Sequence, residues 1–130
     1  MAKGMKVLVA ERIADEGITA LEEAGLQVNF SPKISREELL SIIGEYDALI
    51  VRSATKVDEE LYEHATNLKV VGRAGNGVDN IDMNGASKRG IIVANTPDAN
   101  TVTTAEHTIA LMLASNRRIP QADAMIHRRE

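Results

Sequence analysis

The 130-residue sequence has no cysteine, no tryptophan and only three aromatic side chains, Phe30, Tyr46 and Tyr62. Without cysteine there is no disulfide frame, no thiolate metal site and no Cys nucleophile. Too few aromatics are present to stack nucleic-acid bases, and a basic excess is also lacking. Fifteen Lys and Arg stand against nineteen Asp and Glu, a net charge of −4, so no nucleic-acid partner is expected. Long apolar runs are absent too. The longest, Ile109–Ala114, is far short of the roughly 18–20 residues of a spanning helix, which excludes a membrane partner. Val7–Ala10 is too short for the core of a secretory signal and stops at Glu11 and Arg12. Together with the missing cysteines, this fits a cytoplasmic chain. The segment Met1–Gly4 ahead of Met5 reads as either a leader or a native start. His64, His107 and His127 share no metal-ligand spacing. All three read as structural, no metal is expected, and no Ser–His–Asp set assembles.

The chain is 44% hydrophobic and 26% charged, the ordinary range of a folded domain rather than a disordered one. A chain of this size buries roughly two-thirds of its unfolded surface. Five short apolar runs, Met5–Ala10, Leu26–Phe30, Ala48–Val51, Lys69–Arg73 and Ile91–Ala94, start about 22 residues apart. They are Val- and Ile-rich and nearly continuous, the pattern of strands covered on both faces. Between them, Ile13, Gly17, Ile18, Leu21 and Ala24 recur at helical spacing and stop at Gly25. Ser35 to Glu38 forms a capping box, and Asp58 suits the N-cap of the next helix. Ile81–Arg89 is a poorer helix, interrupted by Asn84-Gly85 and ended by Gly90. Alternating strands and helices imply an α/β fold: a flavodoxin-like five-stranded parallel sheet in the order 2-1-3-4-5 with flanking helices.

After Pro97 the rhythm changes. Residues 1–100 read as the α/β domain and 101–130 as a C-terminal helical arm. Its first helix is expected from Thr101 to about Arg118, with an apolar middle that needs more than one face buried. Pro120 should interrupt it before a second helix, Gln121–Arg129.

Ligands of open parallel sheets bind outside the carboxyl ends of the strands. The loops there are 10–13, 52–55, 74–80 and 95–100. Gly75-Asn76-Gly77 follows a strand, yet Asn80 stands where a dinucleotide fingerprint needs Gly or Ala. What is left is a run of backbone N–H groups at a helix start, suited to a small anion such as a carboxylate. A tight strand–helix turn that needs Gly for positive φ explains the same spacing equally well. Arg52 and Arg73 close the third and fourth strands, where a guanidinium can fork onto a carboxylate or phosphate or pair with a nearby acid. Asn100 can offer its amide to a ligand or stabilise its own loop. Two other flavodoxin-like activities fail on residues. Arg52 occupies the place of a receiver domain's phosphoacceptor Asp, and Glu11-Arg-Ile-Ala14 is no flavin phosphate loop.

Leu49-Ile-Val-Arg-Ser-Ala-Thr55, Val70-Val-Gly-Arg-Ala-Gly-Asn-Gly-Val-Asp-Asn-Ile-Asp82, Gly90–Asn100, Ala105-Glu-His107 and Ile119-Pro-Gln-Ala122 together resemble the D-3-phosphoglycerate dehydrogenases of the D-isomer-specific 2-hydroxyacid dehydrogenase family. The resemblance runs from about Met5 to Ala124 and covers only the first part of such an enzyme. It implies NAD-dependent oxidation of 3-phosphoglycerate at C2, the entry to serine synthesis. By resemblance, Arg52 and Arg73 would bind the phosphate or carboxylate, with Ser53 and Gly75 in the same binding set. The Asn76 and Gly77 N–H groups would hold the substrate carboxylate, and Asn100 would line the crevice near the nicotinamide. Asn76, polar where relatives carry a small apolar residue or Thr, would also approach the cofactor. Asn84-Gly85 departs from a better helix former, which implies a weak helix.

The family's G-x-G-x-x-G, its catalytic Arg and its His–Glu pair have no counterpart in these 130 residues. Neither does a far C-terminal helix that the family's substrate domain recruits. The chain is therefore expected to hold no catalytic residue, to bind NAD unstably if at all, and to be inactive alone. A second expectation is an association module without catalysis. In that reading the arm folds back over the open face or exchanges between chains, giving a homodimer through residues 101–130.

Overall fold

Val and Ile are branched at the β-carbon and favour the extended backbone, and each four-residue strand of the sheet carries at least one of them. A computed structural model describes residues 4–129, so Met1–Lys3, most of the segment read as a leader or a native start, and the last residue of the arm lie outside the described residues. The strands are β1 (Lys6–Val9), β2 (Gln27–Phe30), β3 (Ala48–Val51), β4 (Val70–Arg73) and β5 (Ile92–Asn95). All neighbours pair in parallel, in the order β2-β1-β3-β4-β5. That is the order read from the spacing of the apolar runs.

Helices α1 (Asp15–Glu23), α2 (Arg36–Ile42), α3 (Glu59–His64) and α4 (Met83–Arg89) connect the strands, with a 3-10 turn over Ile43–Glu45 after α2. Ser35 and Asp58 act as N-caps, accepting from the Glu38 and Leu61 N–H groups. Gly25 and Gly90 take the left-handed backbone that ends α1 and α4.

Leu8, Leu49, Val51 and Val71 point to one side of the sheet and pack with Leu39, Ile43 and Leu61 into the main core. On the other side Val7 and Val9 are buried. The expectation of strands covered on both faces holds for β1 and fails for the edges. Phe30 on β2 and Ile92 on β5 are exposed, Ile92 by 65%. Beside α1, an open apolar groove of about 400 Å³ runs over Ile50, Gly72 and Ala94. No described helix of the first unit lies over β5 there to exclude water.

Two expectations about helices are corrected. The helix expected from Ile81 starts at Met83, because Asp82 caps it by accepting from the Asn84 and Gly85 N–H groups at 3.0 and 3.1 Å. Gly85 is buried there, and an added Cβ would lie 2.9 Å from the Tyr62 ring. It is a packing glycine between α3 and α4 rather than a flaw in the helix.

The chain divides between Pro97 and Asp98 into two compact units. The second contains α5 (Thr101–Asn116) and α6 (Ile119–Arg128). Pro120 does not end a helix; it lies in the first turn of α6, where its missing N–H costs nothing. The break falls earlier, at Arg118, whose φ is +50°. No residue of either helix is buried.

Candidate anion site at the carboxyl ends of the strands

In-register pairing sets Val51 of β3 beside Arg73 of β4. The chain therefore leaves both strands side by side, and the 52–55 and 74–80 loops meet at one end of the sheet. A bridge between Val57 and Ile81 joins the two segments again beyond the loops.

The 52–55 loop is held on both sides. Just past β1, the Glu11 carboxylate accepts from the backbone N–H groups of Arg52 at 2.8 Å, Thr55 at 2.9 Å and Ala54 at 3.2 Å. Burial pushes the Glu11 carboxyl up, but the backbone bonds from Thr55, Arg52 and Ala54 outweigh it and hold the group below its ordinary value. From the other side, the Asn80 side-chain amide donates to the carbonyls of Arg52 at 2.8 Å and Thr55 at 2.7 Å.

Arg73 joins this framework. Its Nε–H lies 3.2 Å from the Arg52 carbonyl and 3.3 Å from Asn80 Oδ1. Only 11% of its side chain is exposed, and the guanidinium also sits 3.6 Å from Asp79. Arg52 is different. Its side chain is exposed, with one long contact of 3.4 Å to the Arg12 carbonyl. Ser53 is exposed beside it.

Gly75 and Gly77 are not at a helix start. Six residues, from Gly77 to Asp82, precede Met83, so no helix dipole reaches the loop. Neither glycine has a positive φ, which also removes the turn explanation. Both approach a neighbouring side chain closely. An added Cβ on Gly75 would collide with the Arg73 guanidinium, and one on Gly77 would lie 2.9 Å from Asp79 Oδ1. The loop is thus laid directly over the buried arginine. Among the described residues nothing accepts from the Asn76 or Gly77 N–H, and both residues are exposed. The Asn76 carbonyl takes a 2.6 Å bond from the Asn95 side chain at the end of β5.

The first unit therefore gathers Arg52, Ser53, Arg73, Gly75, Asn76 and Gly77 at one end of the sheet. Asn100 lies in the second unit, just ahead of α5, and its side chain makes no capping bond. Sequence reasoning missed Glu11, Asn80 and Asn95. The signal available for Glu11 was a charged residue directly after a buried strand. His64 and His127 bond the Glu60 and Asp123 carbonyls of their own helices. Among the described residues no cluster could hold a metal, and no helix is long and apolar enough to cross a membrane.

The pattern of the D-isomer specific 2-hydroxyacid dehydrogenase catalytic domain matches residues 7–127. D-3-phosphoglycerate dehydrogenase of Archaeoglobus fulgidus is 56% identical over 122 residues, 94% of this chain and 23% of that protein. The Methanocaldococcus jannaschii enzyme of the same name is 48% identical over 97% of this chain and 24% of its own length. The chain thus spans about a quarter of these relatives. Among solved structures, the TT0316 protein of Thermus thermophilus is 34% identical, with a TM-score of 0.84 over 95% of this chain and 40% of that one. NAD+-bound 3-phosphoglycerate dehydrogenase of Entamoeba histolytica is 33% identical, with a TM-score of 0.73 over 85% of this chain and 39% of that one. With residues 7–127 matching that domain, the chain belongs to the D-isomer specific 2-hydroxyacid dehydrogenase family.

Proposed function

We propose that this chain is the substrate-holding part of a D-3-phosphoglycerate dehydrogenase. The observation that carries the reading is the pairing of an exposed Arg52 with the unclaimed, exposed N–H groups of Asn76 and Gly77, laid over the buried Arg73 guanidinium. A fixed cation beside two N–H groups that no described group accepts from favours a carboxylate. Arg52, on its long stem, reaches outward for the second anionic group. A substrate with both a carboxylate and a phosphate, such as 3-phosphoglycerate, suits that pairing.

In this reading the reaction is oxidation of the C2 hydroxyl with NAD, on the route to serine. The residues here do not fit a dinucleotide cradle. The room left by Gly75 and Gly77 is filled by the chain's own Arg73 and Asp79 side chains, and no helix begins at the loop. Asn76 is therefore proposed to approach the cofactor, not to hold it. The contribution of this chain is to bind and orient the acid. Proton removal needs a base within reach, and the hydride needs a bound acceptor. The 130 residues alone are expected to form no NADH from 3-phosphoglycerate.

An ionic-strength-matched titration with 3-phosphoglycerate, followed by backbone amide NMR beside a sulfate control, tests the reading. Saturable shifts at Asn76, Gly77 and around Arg52 support it. Unmoved amides up to millimolar ligand overturn a preformed site.

The second unit supports a further role, association of two copies. Val102, Leu111, Met112 and Ile126 are 57–74% exposed, and α5 is too evenly apolar to bury by one face alone. A second copy carries the same patch, and a two-fold contact closes on itself. Light scattering across a concentration series tests it: a dimer mass that dissociates on dilution supports it, and a monomer mass at every concentration overturns it.

A further inference from the structure

Glu11 and Asn80 lie outside the anion-contacting set, yet together they take most of the backbone of the Arg52–Thr55 loop. We propose that they are positioning residues: Glu11 holds the loop by its N–H groups, Asn80 holds it by its carbonyls, and the two set where Arg52 presents its guanidinium. This rests on the reading of Arg52 as an anion ligand.

The two side chains meet the loop with complementary chemistry. A carboxylate has only acceptors, and the three groups aimed at it are all donors. A side-chain amide has two donors and an acceptor, and Asn80 meets two carbonyls with the donors and the Arg73 Nε–H with the acceptor. The loop has no helix or strand pairing of its own over residues 52–55. These contacts are what replace that pairing. Arg52 in turn has only the 3.4 Å contact to Arg12 to orient its side chain, so its direction follows the backbone beneath it. Charge matters as well. A carboxylate directly behind an anion site opposes the ligand's charge. Here the Glu11 carboxylate is engaged by three loop N–H groups.

Two isosteric changes test this. Glu11→Gln turns one acceptor oxygen into a donor facing the loop N–H groups. Asn80→Asp turns the donor facing the Arg52 and Thr55 carbonyls into an acceptor. In each variant, amide hydrogen exchange at Arg52, Ala54 and Thr55 is expected to speed up about tenfold or more, the scale of one lost charge-assisted bond. Affinity for 3-phosphoglycerate is expected to fall by a similar factor, while amides of β1 and β3 keep their protection.

The parent chain provides a measurement that needs no variant. Its Arg52, Ala54 and Thr55 amide shifts should titrate together as the pH falls below the ordinary glutamate range. Exchange of the three amides unchanged in Glu11→Gln overturns the proposal, as does a loosened loop with undiminished affinity. If the parent chain binds neither 3-phosphoglycerate nor sulfate, the anion-site reading fails and this proposal falls with it. A bound parent with an indifferent loop sinks the proposal alone.

Discussion

The Nε–H of Arg73 lies 3.2 Å from the backbone carbonyl of Arg52. The second arginine of the site is therefore a brace for the first, and their side chains differ in exposure and in use. Arg52→Ala should weaken 3-phosphoglycerate binding by about ten- to a hundredfold, the range of a lost bond to a charged group, with little change in stability. Arg73→Ala should weaken binding and also destabilise the fold by about 1–3 kcal/mol, because Asn80 Oδ1 and the Arg52 carbonyl lose a donor. Calorimetric titration and urea unfolding of both variants decide it. Equal stability loss in the two would contradict the division of roles.

Tyr62 gives an alkaline signature. Burial first, and the nearby Asp82 charge second, push its phenol up to about 12 from an ordinary value of 10. Its hydroxyl donates to the Asp82 carbonyl at 3.1 Å. The folded state keeps this proton where the unfolded chain has lost it. Its contribution is therefore complete below pH 10 and disappears as the pH climbs toward about 12. Urea midpoints at pH 9 and pH 11 should drop more steeply for the parent than for Tyr62→Phe. Parallel slopes would refute the assignment.

Gly85→Ala offers a test in which helix propensity and packing oppose each other. Alanine favours a helix interior by about 1 kcal/mol. The added carbon would lie 2.7 Å from Asp82 Oδ2 and 2.9 Å from the Tyr62 ring, an overpacking that costs about 1–3 kcal/mol. A net loss of stability is expected. A more stable variant in thermal unfolding would show that α3 and α4 yield to the extra carbon.

If two copies associate through the second unit, a charge placed in the exposed row should prevent it. Leu111→Glu is expected to give a monomer at concentrations where the parent is dimeric, with the sheet's amide spectrum unchanged. Unaltered mass by sedimentation would point to a different surface.

The strand order, the caps at Ser35 and Asp58 and the stops at Gly25 and Gly90 were all legible in the sequence. Each depends on neighbours along the chain or on a repeated spacing of apolar residues. The same local logic misplaced two features. Gly75 and Gly77 read as either a helix-start nest or a positive-φ turn, but α4 begins at Met83 and neither φ is positive. Pro120 read as a helix stop, but it opens α6.

The sequence by itself determined the α/β architecture, the family and the end of the sheet where the two arginines emerge. Only the tertiary structure decided which arginine faces solvent, that Gly75 lies against the buried one, and that Glu11 and Asn80 hold the loop between them. Glu11 and Arg52 are 41 positions apart, and no periodicity relates them. They meet because β1 and β3 are adjacent in the sheet although β2 lies between them in the chain. Strand pairing, not sequence proximity, brings a carboxylate to three N–H groups that only it can satisfy together.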